Sequence, residues 1–467
     1  MDPREAARIA APPGEARPRP TIGLRAAVAL IVGVVIGAGI FKAPSIVASL
    51  SGSAGAMFAL WALGGLVSLI GALCYAELTT AYPHAGGDYH FLRRAYGRTV
   101  AFLFGWARFS VITTGSIALL GFVFGDYLQQ ALPFPGVARG AGSTLYACAV
   151  IVVLTLLNLR GIRTGTATQG WLTLLEVGGL LLIAGAAAFL ADPAPAAPAA
   201  GAGEASYGMA MVFVLLTYGG WNEAAYISAE VRDGRRCMVK ALTLSILVIT
   251  CLYMLVAWAC WRVLGMAGMA QSEALAADVM RATVGPAGET LIALVVAISA
   301  LTSINATMIV GARTGYAMGC DWPRLHRLGR WDGERDSPAA AMLVQGIAAL
   351  VLVGVGSAVG SGFKAMVEFT APVFWLFFLL AGASLFVLRR REPELPRPFK
   401  VPLFPLLPLL FCATCAWMLW SSLSYVFSQE LGGLNAAWLG VAVLAVGLLL
   451  LPLLRGKPGS PGASHLS

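Results

Sequence analysis

The stretch Gly33-Val-Val-Ile-Gly37-Ala38-Gly39-Ile40-Phe41-Lys42-Ala43-Pro44 sits inside the first long apolar run of the chain and holds three glycines and a proline in twelve residues. Within a helix, glycine is about 1 kcal/mol and proline about 3 kcal/mol less favourable than alanine. The run therefore predicts a helix that unwinds near its middle. A second break is predicted at Leu216-Thr217-Tyr218-Gly219-Gly220-Trp221-Asn222-Glu223, in the sixth apolar run, where paired glycines are followed at once by polar side chains.

The surroundings of these breaks set the fold class. Of the 467 residues, 58% are hydrophobic and 12% charged, about half the charge of an ordinary soluble domain. Disorder needs the opposite composition. A membrane span needs about 20 largely apolar residues. Twelve runs qualify: 23–49, 55–82, 99–130, 143–159, 169–190, 206–229, 238–261, 287–312, 339–358, 363–388, 403–427 and 434–454. Residues 1–20 and 456–467 read as disordered cytoplasmic tails, and the first of them lacks the apolar core of a signal peptide.

The net charge of +9 invites a polyanionic partner, but the basic residues fall between the apolar runs. With the N-terminus inside, 26 of the 32 Lys and Arg fall on cytoplasmic segments. Four fall outside (Arg139, Arg262, Arg281, Lys364) and two within spans (Lys42, Arg108). That asymmetry predicts both termini in the cytoplasm and removes the need for nucleic acid as a partner. None of the eight cysteines falls on an outside loop, so no structural disulfide is expected. Cys412 and Cys415 form a C-x-x-C inside an apolar helix, which reads as two small residues on one face.

Spans one and six are five spans apart and run in opposite directions. Glycine-interrupted spans at matching places in two halves are the strongest sequence pointer to a secondary-transporter site. The segmentation follows: a first five-helix repeat over 21–190, a second inverted repeat over 206–388, and two additional helices over 403–455. Unwound backbone in hydrocarbon must line a protein cavity. Half-helix N-termini offer N–H groups and partial positive charge, and C-termini offer carbonyls and partial negative charge. A zwitterion fits both: its carboxylate near Gly37 to Gly39, its ammonium on carbonyls near Leu216 to Tyr218. The competing reading, close helix packing by small residues, accounts for one such run more readily than for two at matched positions.

Four segments carry a family resemblance. Val35-Ile-Gly-Ala-Gly-Ile-Phe41 resembles the G-S-G-I-F stretch of the amino acid–polyamine–organocation permeases. Glu77 through Gly97, with Gly86-Gly87-Asp-Tyr and Arg93, resembles that family's loop after span two. Thr217-Tyr-Gly-Gly-Trp-Asn222, followed by Glu230, resembles the L-type amino acid transporter branch, and Arg397-Pro-Phe-Lys-Val-Pro the segment before span eleven. The resemblance covers about 21–427. It implies an all-α protein of twelve transmembrane helices with a ten-helix inverted-repeat core. It also implies transport of amino acids with protons or by exchange, at the plasma membrane, without a cofactor or metal. Carried over by position, the carboxylate site falls on Gly37, Ala38, Gly39 and Ile40, and the amine site on carbonyls of Leu216, Thr217 and Gly219, with Tyr218 and Asn222 beside them. Ala38 stands where many members have serine, and Leu216 where L-type members often have phenylalanine, which argues against a preference for large aromatic substrates. The L-type animal transporters join a heavy chain through a cysteine between spans three and four; residues 131–142 contain none, so no disulfide-linked heavy chain is expected.

Charged groups inside spans default to function. Glu176 lies about 10 Å into span five and is expected either to carry a coupling proton or to form a static pair with Arg108. Glu77 and Glu230 are expected to anchor loops to arginines. Glu223 either faces the pocket, favouring cationic substrates, or faces outer water, and Lys42 is expected to snorkel outward. Ser299, Thr302, Ser303 and Asn305 recur at helical spacing, lining a path or bonding between helices. Neutral amino acids are the favoured substrate, with cationic amino acids or polyamines as the alternative. An ion channel is the competing class and is disfavoured by twelve spans with two breaks. An enzyme is disfavoured because all four histidines fall outside the spans and no hydrolase, zinc or Walker motif occurs.

Overall fold

The computed structural model describes residues 23–84, 87–160, 166–191, 206–223, 234–332, 337–358, 362–428 and 436–454. The expected tails and Glu230 lie outside them.

The first apolar run is broken where its glycines cluster. Helix α1 (Leu24–Val35) ends, a 3-10 turn covers Ala38–Phe41, and α2 (Ala43–Ser51) resumes with Pro44 in its first turn, where a missing N–H is harmless. The sixth run gives α8 (Tyr207–Thr217) and a 3-10 turn at Trp221–Glu223, separated by Gly220 at φ 107, a region that only glycine enters without strain. Between these stand α3 (Ala54–Ala81), α4 (Gly87–Tyr96), α5 (Arg98–Ala131), α6 (Arg139–Leu159) and α7 (Thr166–Phe189). After them come α9 (Gly234–Gln271), α10 (Leu275–Thr283), α11 (Pro286–Asp321), α12 (Ala339–Ala358), α13 (Gly362–Arg391), α14 (Leu406–Ser428) and α15 (Ala436–Leu454).

Among the described residues, nine helices are long and apolar enough to cross a membrane, against the twelve runs read from sequence. The shortfall is local. The two broken runs yield pieces of 12, 9 and 11 residues, each too short alone. The last run has only 440–452 as its described apolar helix. Two helices between the spans, α4 and α10, were not anticipated. α5 carries a π turn at Arg108–Ile112; such single-turn bulges are frequent at functional sites.

Small residues bring the helices together. A Cβ on Gly125 of α5 would lie 2.1 Å from the Ser143 carbonyl of α6, so only hydrogen permits that approach. Glu77 anchors a loop as expected: it is 1% exposed, accepts from Arg389 at 2.6 and 2.8 Å and takes the Val401 N–H at 2.7 Å. Lys42 does not snorkel. Its ammonium donates to Asp126 of α5 at 2.8 Å and to the Glu273 carbonyl, because both acceptors converge on the start of α2. Cys412 and Cys415 are free thiols.

Candidate functional site

The two breaks meet. A Cβ on Gly220 would lie 3.1 Å from the Val34 carbonyl. Tyr253 of α9 bridges them: its hydroxyl is 3.0 Å from the Val35 carbonyl and 3.1 Å from that of Thr217. One buried hydroxyl thus faces the carbonyl ends of both half-helices.

A cavity of about 370 Å³ opens between them, of the size that takes a small molecule. Gly37, Gly39, Leu216, Thr217, Gly219, Asn222, Arg108 and Ser303 line it. A Cβ on Gly37 would come 3.7 Å from Ser303 Oγ, and one on Gly39 would come 3.9 Å from Thr217 Cγ2, so both sequence-predicted halves face one space. The 3-10 turn begins at Ala38, and the first N–H groups of such a turn have no partner within it. On the other side, the Leu216 carbonyl accepts from Gly219 N–H at 3.1 Å, which leaves that oxygen one further lone pair.

Other predicted residues lie elsewhere. Ala38 and Ile40 are fully buried, and Tyr218 is buried with its hydroxyl on the Trp61 carbonyl at 3.1 Å. None of the three is among the lining residues. Glu176, Ser299 and Thr302 are also off the cavity wall. Ser299 donates to Glu176 at 2.7 Å, and Thr302 donates to the Ser299 carbonyl at 2.9 Å. Asn305 accepts from Asn158 at 2.7 Å, which is the interhelical role. Trp221 packs edge-on against Tyr75 with ring centroids 5.1 Å apart.

The expected static pair of Arg108 with Glu176 is replaced by another. Arg108 donates to both carboxylate oxygens of Glu223 at 2.9 Å. Glu223 is therefore held on α5 rather than turned to outer water. The sequence reading missed Asp88, which reaches the cavity wall from α4. Its signal was its place beside Gly86-Gly87, where a helix start turns a first-turn carboxylate inward.

A profile of the amino acid permease family matches residues 22–445. The chain belongs to the amino acid permease family. The permease is 30% identical over 392 residues to the human b(0,+)-type amino acid transporter 1, covering 82% of this chain and 78% of that protein. The mouse counterpart is 29% identical over 391 residues, covering 82% and 79%. The human large neutral amino acids transporter small subunit 2 is 28% identical over 397 residues, covering 82% and 72%. The permease is thus a transporter rather than an enzyme, and a multi-pass protein of the plasma membrane.

Proposed function

We propose that this permease moves amino acids by secondary active transport, as proton-coupled symport or exchange. The substrate's carboxylate rests on the bared main chain at Gly37 and Gly39, the two residues of that turn that reach the cavity, and its ammonium on carbonyls near Leu216 and Thr217. The observation that carries this is the meeting of two broken helices at one cavity. A helix end there presents main-chain groups that water or a ligand must satisfy. The proposal includes twelve spans, two inverted five-helix repeats, two additional helices and cytoplasmic termini, as the loop charges favour.

Neutral amino acids fit best, because Arg108 already compensates Glu223 at the cavity wall. The printed names of the relatives, one of them a transporter of large neutral amino acids, support an amino acid substrate. The second reading, a cationic amino acid or polyamine, draws on the two carboxyls, Asp88 and Glu223, that line the cavity beside one guanidinium. The words "small subunit" describe that relative's assembly. We do not extend it to this chain, whose segment 131–142 has no cysteine.

The test is uptake of labelled neutral, cationic and acidic amino acids and polyamines by purified protein in liposomes, with and without a pH gradient. Saturable uptake or counterflow of neutral amino acids is expected. Flux of none of the panel would refute transport, and flux of cations alone would select the second reading.

A further inference from the structure

The charged end of the cavity holds a group that the backbone site does not use. Asp88 stands in α4, between the spans, yet it is 3% exposed and lines the cavity. Its Oδ1 makes no close hydrogen bond among the described residues, and Tyr75 and Asn222 are the donors that approach the carboxyl. The groups that face it come from three elements: Tyr75 of α3, Arg108 of α5, and Asn222 and Glu223 after the second break. Of these Arg108 carries the positive charge, and its guanidinium spans both oxygens of Glu223. The cluster therefore holds two carboxyls for one guanidinium. Two carboxylates beside one cation do not both keep their charge cheaply when one of them, Asp88, is buried and the other, Glu223, already holds the cation while keeping 31% of its side chain exposed. The one outside the ion pair is the one that takes a proton.

We propose that Asp88 is a proton-binding site linked to the Arg108–Glu223 pair. A hydronium ion from the aqueous side gives up one O–H bond and its proton to the Asp88 carboxylate, leaving water and the neutral acid. Protonated Asp88 leaves Arg108 on Glu223, which pins α5 to the segment after the second break. Ionised Asp88 competes for Arg108 and loosens that pin. Burial, with a smaller push from Glu223, raises the Asp88 carboxyl to about 6 against the opposing pull of Arg108 and the Tyr75 and Asn222 hydrogen bonds, so the switch falls within an ordinary pH range. That this proton takes part in a transport cycle rests on the reading above; the proton site itself does not.

The test is infrared difference titration of the purified full chain in lipid nanodiscs, following the C=O stretch of protonated carboxyl groups. A band with a midpoint near pH 6 is expected. It should be lost in Asp88→Asn and moved to acid by at least about one pH unit in Glu223→Gln, which frees Arg108 for Asp88. A band that survives Asp88→Asn, or a midpoint unmoved by Glu223→Gln, overturns the site. Should Asp88→Asn fail to fold, the Glu223→Gln midpoint decides alone. In liposomes, wild-type flux should fall on acidification through the same midpoint, and flux by Asp88→Asn should stay flat within about twofold from pH 5 to 7.5. Wild-type flux that ignores pH while Asp88 titrates overturns the link to transport. Titration with no flux of any amino acid refutes the transport reading and leaves the site standing.

Discussion

Gly220 approaches Val34 so closely that a methyl group on it would stand 3.1 Å from the Val34 carbonyl and 3.3 Å from its Cγ1. This contact brings the interruption of the sixth apolar run against that of the first. It also needs φ 107, a conformation closed to side-chain-bearing residues.

Gly220→Ala meets both penalties. Strain of this kind costs about 1–3 kcal/mol, and the neighbour at 3.1 Å is main chain, which yields less than a flexible side chain. The expected outcome is folded protein with a lower unfolding temperature and impaired substrate binding. Thermal unfolding in detergent, with and without substrate, checks it.

Gly39→Leu separates space from folding. A Cβ at Gly39 meets only Thr217 Cγ2 at 3.9 Å, an ordinary contact, so Gly39→Ala should fold normally. The longer leucine side chain extends into the cavity and should abolish binding without loss of folded protein. Normal transport by Gly39→Leu would refute the proposed binding site.

Tyr253→Phe removes the hydroxyl that faces Val35 and Thr217. A buried hydrogen bond is worth about 0.5–1.5 kcal/mol net, and an abandoned acceptor adds to the loss. The variant should unfold earlier by an amount in that range and bind substrate more weakly, because both carbonyl ends lose their shared support. Unchanged stability and affinity together would show that the bridge contributes nothing.

Arg389→Ala leaves Glu77 buried with Arg397 at 3.6 Å as its nearest remaining cation. Leaving a buried charge with no partner costs about 3–5 kcal/mol; Arg397 and the Val401 N–H still compensate Glu77 in part, so the loss should fall below that range. The double variant Glu77→Gln with Arg389→Ala should lose less than the two single losses added. Additive losses in a double-mutant cycle would contradict the coupling.

Asp88 predicts a pH dependence of stability with a definite sign. Its folded carboxyl titrates near 6, raised by burial from 3.8. Between these values the folded state binds more protons than the unfolded one, so this group's contribution weakens as pH rises from about 4 to 6 and is level above. Asp88→Asn should therefore gain stability relative to wild type across that window, on the order of 3 kcal/mol at neutral pH. Unfolding temperatures of the two proteins from pH 4 to 8 test it; a constant difference would show that Asp88 is not strained by burial.

How much of this was legible beforehand follows from the kind of signal each feature leaves. The breaks at Gly37–Gly39 and Gly219–Gly220 were readable because glycine's backbone freedom is a local property. The anchoring of Glu77 was readable because a carboxylate at a span end beside arginine-rich loops has few other partners. For Glu176 the sequence leaves a coupling proton and a static pair with Arg108 both open, because both residues are intramembrane charges and sequence carries no facing. Arg108 turned to Glu223, and Glu176 to Ser299. Asp88 is overlooked as a cavity residue, despite its place beside Gly86-Gly87, because a short amphipathic helix between spans reads as a surface loop.

Sequence by itself determined the membrane class, the places where main chain would be bared, and the charge asymmetry of the loops. Each depends on composition and local propensity, which act within a few residues of the chain. Only the tertiary structure decided that the two breaks touch through Gly220 and Val34, that Tyr253 serves both, and that Asp88, Arg108 and Glu223 share one wall. Those relations depend on the rotation of each helix about its axis, which packing sets through contacts far apart in the chain.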